Sequence, residues 1–367
     1  MIRLALDGTP LLGPRTGIGE VVSGLAGEFA RRDDVELVAY ALTWRGRHEL
    51  ASKTPIGARP ATRPIPARFV RRAWLRGDHP RIERWTGPVD VVHATNYVGP
   101  PTRARVVVSV YDLGFVRFPE LCTPDALQYP TLLRRAIARG AWIHTTSDFV
   151  AAEVRSTFAV EPERVVRVYP GVPTSHGGDA ARGRRAAGAE RYVLAVGTIE
   201  PRKNLPTLVR AFDAIAEHQR DLVLVVAGTR AWGAEAFDEA CRRAHHGDRI
   251  RSLGYVSSGV RRDLLAGASV LAYPSRYEGF GFPPLEAMAA GVPVVAARAG
   301  AIPEVVGDAA LLVDPDDADD LARALDTVLT DSEQRDALVT RGRTRHVEFS
   351  WTRAADELVG VYTDVMR

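Results

Sequence analysis

Residues 192–204 read YVLAVGTIEPRKN. An apolar run, 192–196, ends on Gly197. Arg202 and Lys203 follow, and Leu205, Leu208, Val209 and Phe212 then recur at helical spacing. A short apolar run suits a strand buried on both faces, and the recurrence is the buried stripe of a helix. Strand, glycine-bearing turn and helix make half of a βαβ unit, which puts the chain in the parallel-sheet α/β class. The same stretch is a candidate anion site. Free N–H groups and the positive end of the helix face the carboxyl end of the strand, and two adjacent cations reinforce them. Arginine can bind phosphate through two parallel bonds, so the ligand this arrangement suits is a diphosphate. An Arg-Lys pair at a helix start is also common on ordinary surfaces.

Outward from this stretch the alternation continues. Downstream, 222–227 is a nearly unbroken apolar run, and 270–273, 292–296 and 310–313 follow with helical material between them. Upstream, 2–6, 35–42, 89–93, 105–110, 142–145 and 164–168 read as strands. A helix from about Ile18 carries Val21, Val22, Leu25 and Phe29 on one face, 124–139 looks helical, and Ser147 suits the N-cap of a helix to Phe158. Residues 173–190, PTSHGGDAARGRRAAGAE, lack apolar periodicity and read as an interdomain linker. The expected division is therefore a domain at 1–172, the linker, a domain at 191–349, and a last apolar-striped helix at 350–367. A length of 367 residues suits two domains.

A composition 46% hydrophobic and 25% charged excludes general disorder. No segment approaches the roughly 20 apolar residues of a membrane span. Cys122 and Cys241 are the only cysteines, which implies neither a disulfide framework nor a Cys-rich metal site and fits a reducing cytoplasmic setting. The net charge of +3 is too small to argue for nucleic acid. Its distribution is uneven: residues 59–84 hold eight arginines against Asp78 and Glu83, with Phe69, Val70, Trp74, Leu75 and Trp85 interleaved. Such an element suits peripheral contact with the anionic inner face of a membrane. The plainer reading is a solvated excursion covering its own domain.

Two further motifs follow strand candidates, where open α/β sheets bind ligands. EGFGFPPLE at 278–286 places Glu278 on a loop with Gly279 and Gly281, which allow close backbone approach to a ligand. Pro283 and Pro284 suit the first turn of the next helix, and Glu286 is expected within that turn. Two carboxylates across a rigid turn can accept hydrogen bonds from different hydroxyls of one ligand. TGIG at 16–19 again sets glycines before a helix, but it is not a dinucleotide fingerprint.

GTIEPRKN at 197–204, with the block 254–315 from GYVSSGVRRDLL through SRYEGFGFPPLEAMAAGVPVV to LLVDP, resembles glycosyltransferase family 4. The resemblance implies the GT-B architecture: two Rossmann-like parallel-sheet domains facing each other across a cleft, with the last helix returning to the first domain. It implies a retaining transferase with an E-x7-E motif at Glu278 and Glu286. Arg202 and Lys203, beside Gly197, would hold the donor diphosphate, and Glu286 the ribose hydroxyls. Glu278 and the amides of Gly279, Phe280, Gly281 and Phe282 would hold the transferred sugar. Tyr255 and Val256 would lie beside the base. Gly17 and Gly19 would approach the diphosphate from the amino-terminal domain, where His93, Tyr111 and Asp112 would face the acceptor, though His93, at a strand end, equally suits a packed histidine. The donor it suggests is GDP-mannose, the acceptor a glycan or a lipid-linked molecule, and neither metal nor cofactor is required. Two positions depart from the family pattern. Many relatives carry histidine where Tyr111 stands, and arginine where Thr198 stands. A sugar-nucleotide epimerase of the same architecture, or an inactive relative that binds the nucleotide sugar, are the alternatives.

Overall fold

The computed structural model describes residues 1–13, 17–44, 46–172 and 177–367. The chain divides into two units, Met1–Gly171 with Ser350–Arg367, and Val172–Phe349.

The first unit is built on a parallel sheet of β1 (Ile2–Asp7), β2 (Val35–Thr43), β3 (Arg59–Pro64), β4 (Val91–Ala94), β5 (Arg105–Val110), β6 (Trp142–Thr145) and β7 (Val165–Arg167). Their order is β3-β2-β1-β4-β5-β6-β7. Leu4 of β1 pairs with Leu37 on one side and Val91 on the other, so the winding reverses at β1 and β4. The helix Trp351–Met366 packs in this unit, and the Trp351 ring lies directly over Gly24, where any Cβ would collide with it.

The second unit repeats the plan with β8 (Arg191–Val196), β9 (Leu222–Ala227), β10 (Ile250–Gly254), β11 (Val270–Tyr273), β12 (Val294–Ala297) and β13 (Leu311–Val313). Their order is β10-β9-β8-β11-β12-β13, all parallel. Leu205, Leu208, Val209 and Phe212 on the helix Leu205–Ala216 pack on Leu224, Val226, Val270 and Ala272 of the sheet. Most connections between successive parallel strands run through helices, β4 to β5 being joined by a plain loop at 95–104, and open sheets of this kind bind ligands at their carboxyl edge.

Three segments differ from the sequence expectation. β3, RPATRP, and β10, IRSLG, are strands that apolar runs did not mark. Each is the outermost strand of its sheet, where one side faces solvent and proline is tolerated. The stretch 59–84 is thus partly sheet, followed by a helix, Ala67–Trp74, that buries Val70 and Trp74. Within 173–190, residues 173–176 lie outside the described residues, and the rest is not a plain linker. Ala180–Ala187 is a helix, capped by Asp179, which accepts from Arg182 N, and closed by Gly188 at φ 65°. Asp and glycine at these two ends are a readable cap pair. The helix lies on another, Ser258–Gly267, through Gly183, and Arg182 meets Asp263 at 2.9 Å. No helix among the described residues is long and apolar enough to cross a membrane.

A Cβ at Gly183 would overlap the Asp263 carbonyl. Gly183→Ala is therefore expected to lower stability by about 1–3 kcal/mol in urea unfolding. An unchanged midpoint would mean that the two helices do not pack so closely in solution.

Candidate active site

In the second unit the winding reverses between β8 and β11, the place where open α/β sheets bind ligands. After β8, Gly197 adopts φ 143°, and a Cβ there would stand 3.2 Å from Lys203 Cε. Glycine thus lets the lysine fold back over the strand end. Asn204 then turns left-handed at φ 56° and is almost fully buried. Its Nδ2 donates to Pro274 O at 3.2 Å and Pro315 O at 2.6 Å, while Thr207 Oγ1 donates to its Oδ1 at 2.8 Å. Asparagine tolerates this backbone region, and its amide ties the β8 and β11 loops together. Arg276 N donates to Arg202 O at 2.9 Å and adds a second tie.

Glu278 sits between these loops. Lys203 Nζ donates to its Oε1 at 2.5 Å and Arg202 Nη1 to its Oε2 at 2.7 Å. Arg202 also donates to Tyr277 O at 2.9 Å and pairs with Glu200 at 2.6 Å. Lys203 Nζ reaches Tyr273 OH at 3.1 Å and stands 5.0 Å from the centre of its ring. Glu278 is 7% exposed. Burial alone would raise its carboxyl, but Lys203 and Arg202 outweigh that and hold it at about 2. The carboxylate is charged at any physiological pH, and both cations are fixed by it.

The main chain around Glu278 is held as firmly. Ala301 N donates to Glu278 O at 2.9 Å, and Gly300 at φ 59° lies where a Cβ would be 2.6 Å from that oxygen. Gly279, Phe280 and Gly281 are buried. The Phe280 ring packs against Phe282 at 5.0 Å and Phe349 at 5.7 Å, so this loop presents main chain, not aromatic rings. Gly281 at φ 127° caps the helix Phe282–Ala289, with Pro283 and Pro284 in its first turn. Glu286 is the fifth residue of that helix, beyond the first turn where the sequence reading put it. Dipole complementation therefore does not explain it. It is buried, and Arg261 Nη2 donates to its Oε1 at 2.8 Å. Sequence reasoning passed over Arg261, which sits among three arginines, 261, 262 and 251, with no motif to mark it. It lies on the helix Ser258–Gly267, just after Tyr255, 67% exposed, and Val256, half-buried. The two carboxylates of the motif are thus each held by their own cations.

In the first unit His93 requires correction. It is 0% exposed, and both ring nitrogens are engaged, Nδ1 with Tyr362 OH at 2.6 Å and Nε2 with Ser109 Oγ at 2.8 Å. Ser109 Oγ continues to His144 Nδ1 at 2.8 Å, and His144 Nε2 to Val168 O at 3.1 Å. Burial drives both imidazoles neutral, His144 to about 4. His93 is a packed histidine that anchors the last helix, not an acceptor contact. Tyr111 and Asp112 do follow β5 at the carboxyl edge. Tyr111 is buried edge-on to Tyr97, 5.9 Å between ring centres, and Asp112 Oδ1 accepts from Gly114 N at 2.8 Å. Gly17 and Gly19 open the helix Gly17–Phe29, and Gly19 helps line a cavity of about 270 Å³ with Pro10, Gly13, Ser23 and Lys53. Thr16, the first residue of the TGIG motif, lies outside the described residues.

Two Rossmann-like parallel-sheet units, the second with cations and a carboxylate gathered at its switch point, place the protein in the GT-B class of glycosyltransferases. Residues 180–345 match the family described as "Glycosyl transferases group 1", and residues 15–176 match "Glycosyltransferase Family 4". The chain is 31% identical over 295 residues to O-antigen chain mannosyltransferase B of Escherichia coli, a match covering 77% of each protein. It is 34% identical over 249 residues to the MMP alpha-(1->4)-mannosyltransferase of Mycolicibacterium hassiacum, covering 67% of this chain and 56% of that protein. Its fold is similar to that of Anabaena HepE, crystallised with UDP and glucose, with a TM-score of 0.74 at 17% identity over 99% of this chain and 100% of that one. The chain belongs to glycosyltransferase family 4, and it is a glycosyltransferase.

Because the folded carboxyl of Glu278 lies below its ordinary value of 4.5, its contribution is present above that pH and is lost as pH falls towards 2. The contribution is on the order of 3 kcal/mol. The stability difference between the protein and Glu278→Gln, from urea unfolding at a series of pH values, is expected to shrink across that window. A difference independent of pH would show that the carboxylate is not held by the two cations.

Proposed function

We propose that this glycosyltransferase moves a hexose, mannose from GDP-mannose, to a glycan or lipid-linked acceptor with retention of anomeric configuration. The observation that carries the reading is the buried cluster of Lys203, Arg202 and Glu278 at the β8–β11 switch point. A nucleoside diphosphate leaves with growing negative charge while the sugar becomes oxocarbenium-like. Cations fixed in advance, in a site shielded from water, stabilise that charge without reorganising. Lys203 and Arg202 hold the diphosphate beside Gly197, and in this reading they do what a divalent metal does elsewhere, so no metal is needed. Glu278 and the main chain of Gly279, Phe280, Gly281 and Phe282 hold the sugar. Glu286, oriented by Arg261, accepts from the ribose hydroxyls, with Tyr255 and Val256 beside the base. Gly17 and Gly19 approach the diphosphate, and Tyr111 and Asp112 serve the acceptor.

Retention is what the family resemblance implies, and Glu278 bears on the route to it. Both of its oxygens are engaged by cations, which makes it a poor nucleophile. We therefore infer attack on the face the leaving group departs from, with the leaving phosphate taking the acceptor proton. Mannose is supported by the names of the two mannosyltransferase relatives. The arginine-rich residues 59–84 support contact with an anionic membrane face.

Lys203→Ala is expected to lower turnover by at least about a hundredfold while the melting temperature shows the fold intact. Near-normal transfer by a folded variant would remove Lys203 from the site. In a thermal-shift series over guanosine, uridine, thymidine and adenosine diphosphates, the guanosine compound is expected to raise the melting temperature most, since a ligand bound only to the native state stabilises it. A larger shift with another base would replace the proposed donor.

A further inference from the structure

The helix Ala67–Trp74 buries Val70 and Trp74, and Trp74 Nε1 donates to Pro80 O at 2.8 Å, so the element is a rigid part of its unit. Its outer face carries Arg68, Arg72 and, one turn on, Arg76, all exposed, with Phe69 55% exposed beside them. Residues four apart on a helix face one another, and like charges so placed repel. Elsewhere on this protein the repulsion is removed locally: Glu239 lies against Arg242 and Arg243, and Glu357 against Arg353. Arg68, Arg72 and Arg76 have no acidic partner among the described residues. On the flank, Arg71 meets Asp125 at 2.5 Å. Together with Gln128 these side chains line a groove of about 670 Å³.

The groove leads somewhere. Gln128 precedes Tyr129, whose ring stacks on Tyr97 at 5.1 Å, and Tyr97 meets Tyr111 edge-on. Helix Ala67–Trp74 starts just after β3, and Tyr129 opens the helix Tyr129–Ala138 that follows β5, so the Arg68 end of the groove lies towards the carboxyl edge that Tyr111 follows, while the Arg76 end runs away from it towards Asp78 and Arg135. A stripe of uncompensated guanidinium groups beside the exposed Phe69 ring calls for a ligand with a polyanionic group and an apolar part.

We propose that this groove is a subsite for the phosphate or diphosphate group of the acceptor, held by Arg68, Arg72 and Arg76, with Phe69 against the apolar part of the same molecule. Planar guanidinium groups bind phosphate oxygens in pairs. The subsite rests on the reading above that Tyr111 serves the acceptor. The phosphate source is a lipid headgroup or a soluble phosphorylated sugar, and the experiment separates them.

Inorganic pyrophosphate is titrated calorimetrically into the full chain, into Lys203→Ala, and into the combined Arg68→Gln, Arg72→Gln, Arg76→Gln variant, whose changes are all on an exposed face. Two sites are expected in the unmodified protein. One is lost in Lys203→Ala, and the other weakens at least about tenfold in the triple variant. If the triple variant keeps both sites, or if the unmodified protein has only the one that Lys203→Ala removes, the subsite is overturned. If Lys203→Ala keeps both while the triple variant loses one, the groove stands and the donor-site reading falls. Sedimentation with phosphatidylcholine vesicles, with and without phosphatidylglycerol, identifies the source. Binding to anionic vesicles that pyrophosphate displaces and the triple variant lacks assigns the phosphate to a headgroup. Pyrophosphate binding without vesicle binding assigns it to a soluble acceptor. A DNA duplex that binds the groove more tightly than either probe overturns the proposal in favour of nucleic acid.

Discussion

A carboxylate taken out of water is tolerable only where cations and hydrogen bonds replace its hydration. Glu278 meets that condition through Lys203 and Arg202, and most of the local geometry of the second unit follows from it. β8 has to lie beside β11 so that a cation-bearing loop and the Glu278 loop leave the sheet side by side. Residue 197 takes φ 143°, which favours glycine, and a Cβ there would press on Lys203. Asn204 turns left-handed and bonds Pro274 O and Pro315 O, one of the ties that hold the β8 loop against the β11 loop. Gly300 has to admit the main chain of Glu278. Removing one cation would leave Glu278 with a single charged partner, so the geometry of the site, more than the fold, depends on both.

The first unit has the same winding and a different chemistry. Asp7 ends β1 where Val196 ends β8, but among the described residues no cation meets it: burial raises its carboxyl, and Thr9 N, at 2.9 Å, donates to it. Around the same edge stand Tyr97, Tyr111, Phe115 and Tyr129. The shared strand order, with one strand more in the first unit, thus carries a cationic switch point in one unit and an aromatic one in the other. Phosphate binding suits the first and sugar stacking the second, which is the division of labour proposed here.

What the sequence made legible follows the same physics. Central strands such as 222–227 are buried on both faces and read as continuous apolar runs. β3 and β10 have only one neighbour each, need no such run, and were invisible. The helix Ala180–Ala187 hid for a related reason: its contact is made by glycine and alanine, which carry no apolar stripe, although Asp179 and Gly188 marked both its ends. At the site, Arg202, Lys203, Glu278 and Glu286 were legible because strand-end position and short-range motif coincide. Arg261 was not, since its partner lies 25 residues away and nothing in spacing links them. His93 misled because a strand-end position does not say which way a side chain points. Only the structure shows it turned inward to Tyr362.

The pairing of Glu278 with both cations also bears on how the site would work. Lys203 and Arg202 are long, flexible side chains, and ordering them when a ligand arrives would cost rotamer entropy. Here that ordering is complete in the folded chain, because the buried carboxylate holds each ammonium and guanidinium group by a short bond. Lys203 uses two of its three N–H donors on Glu278 and Tyr273, so a phosphate can take the third without evicting Glu278. An entering diphosphate then meets donors that are already aimed. A sugar hydroxyl meets a carboxylate that stays ionised, since its proton affinity is suppressed by the same two neighbours. One buried anion in this way fixes the electrostatics for two parts of a single donor.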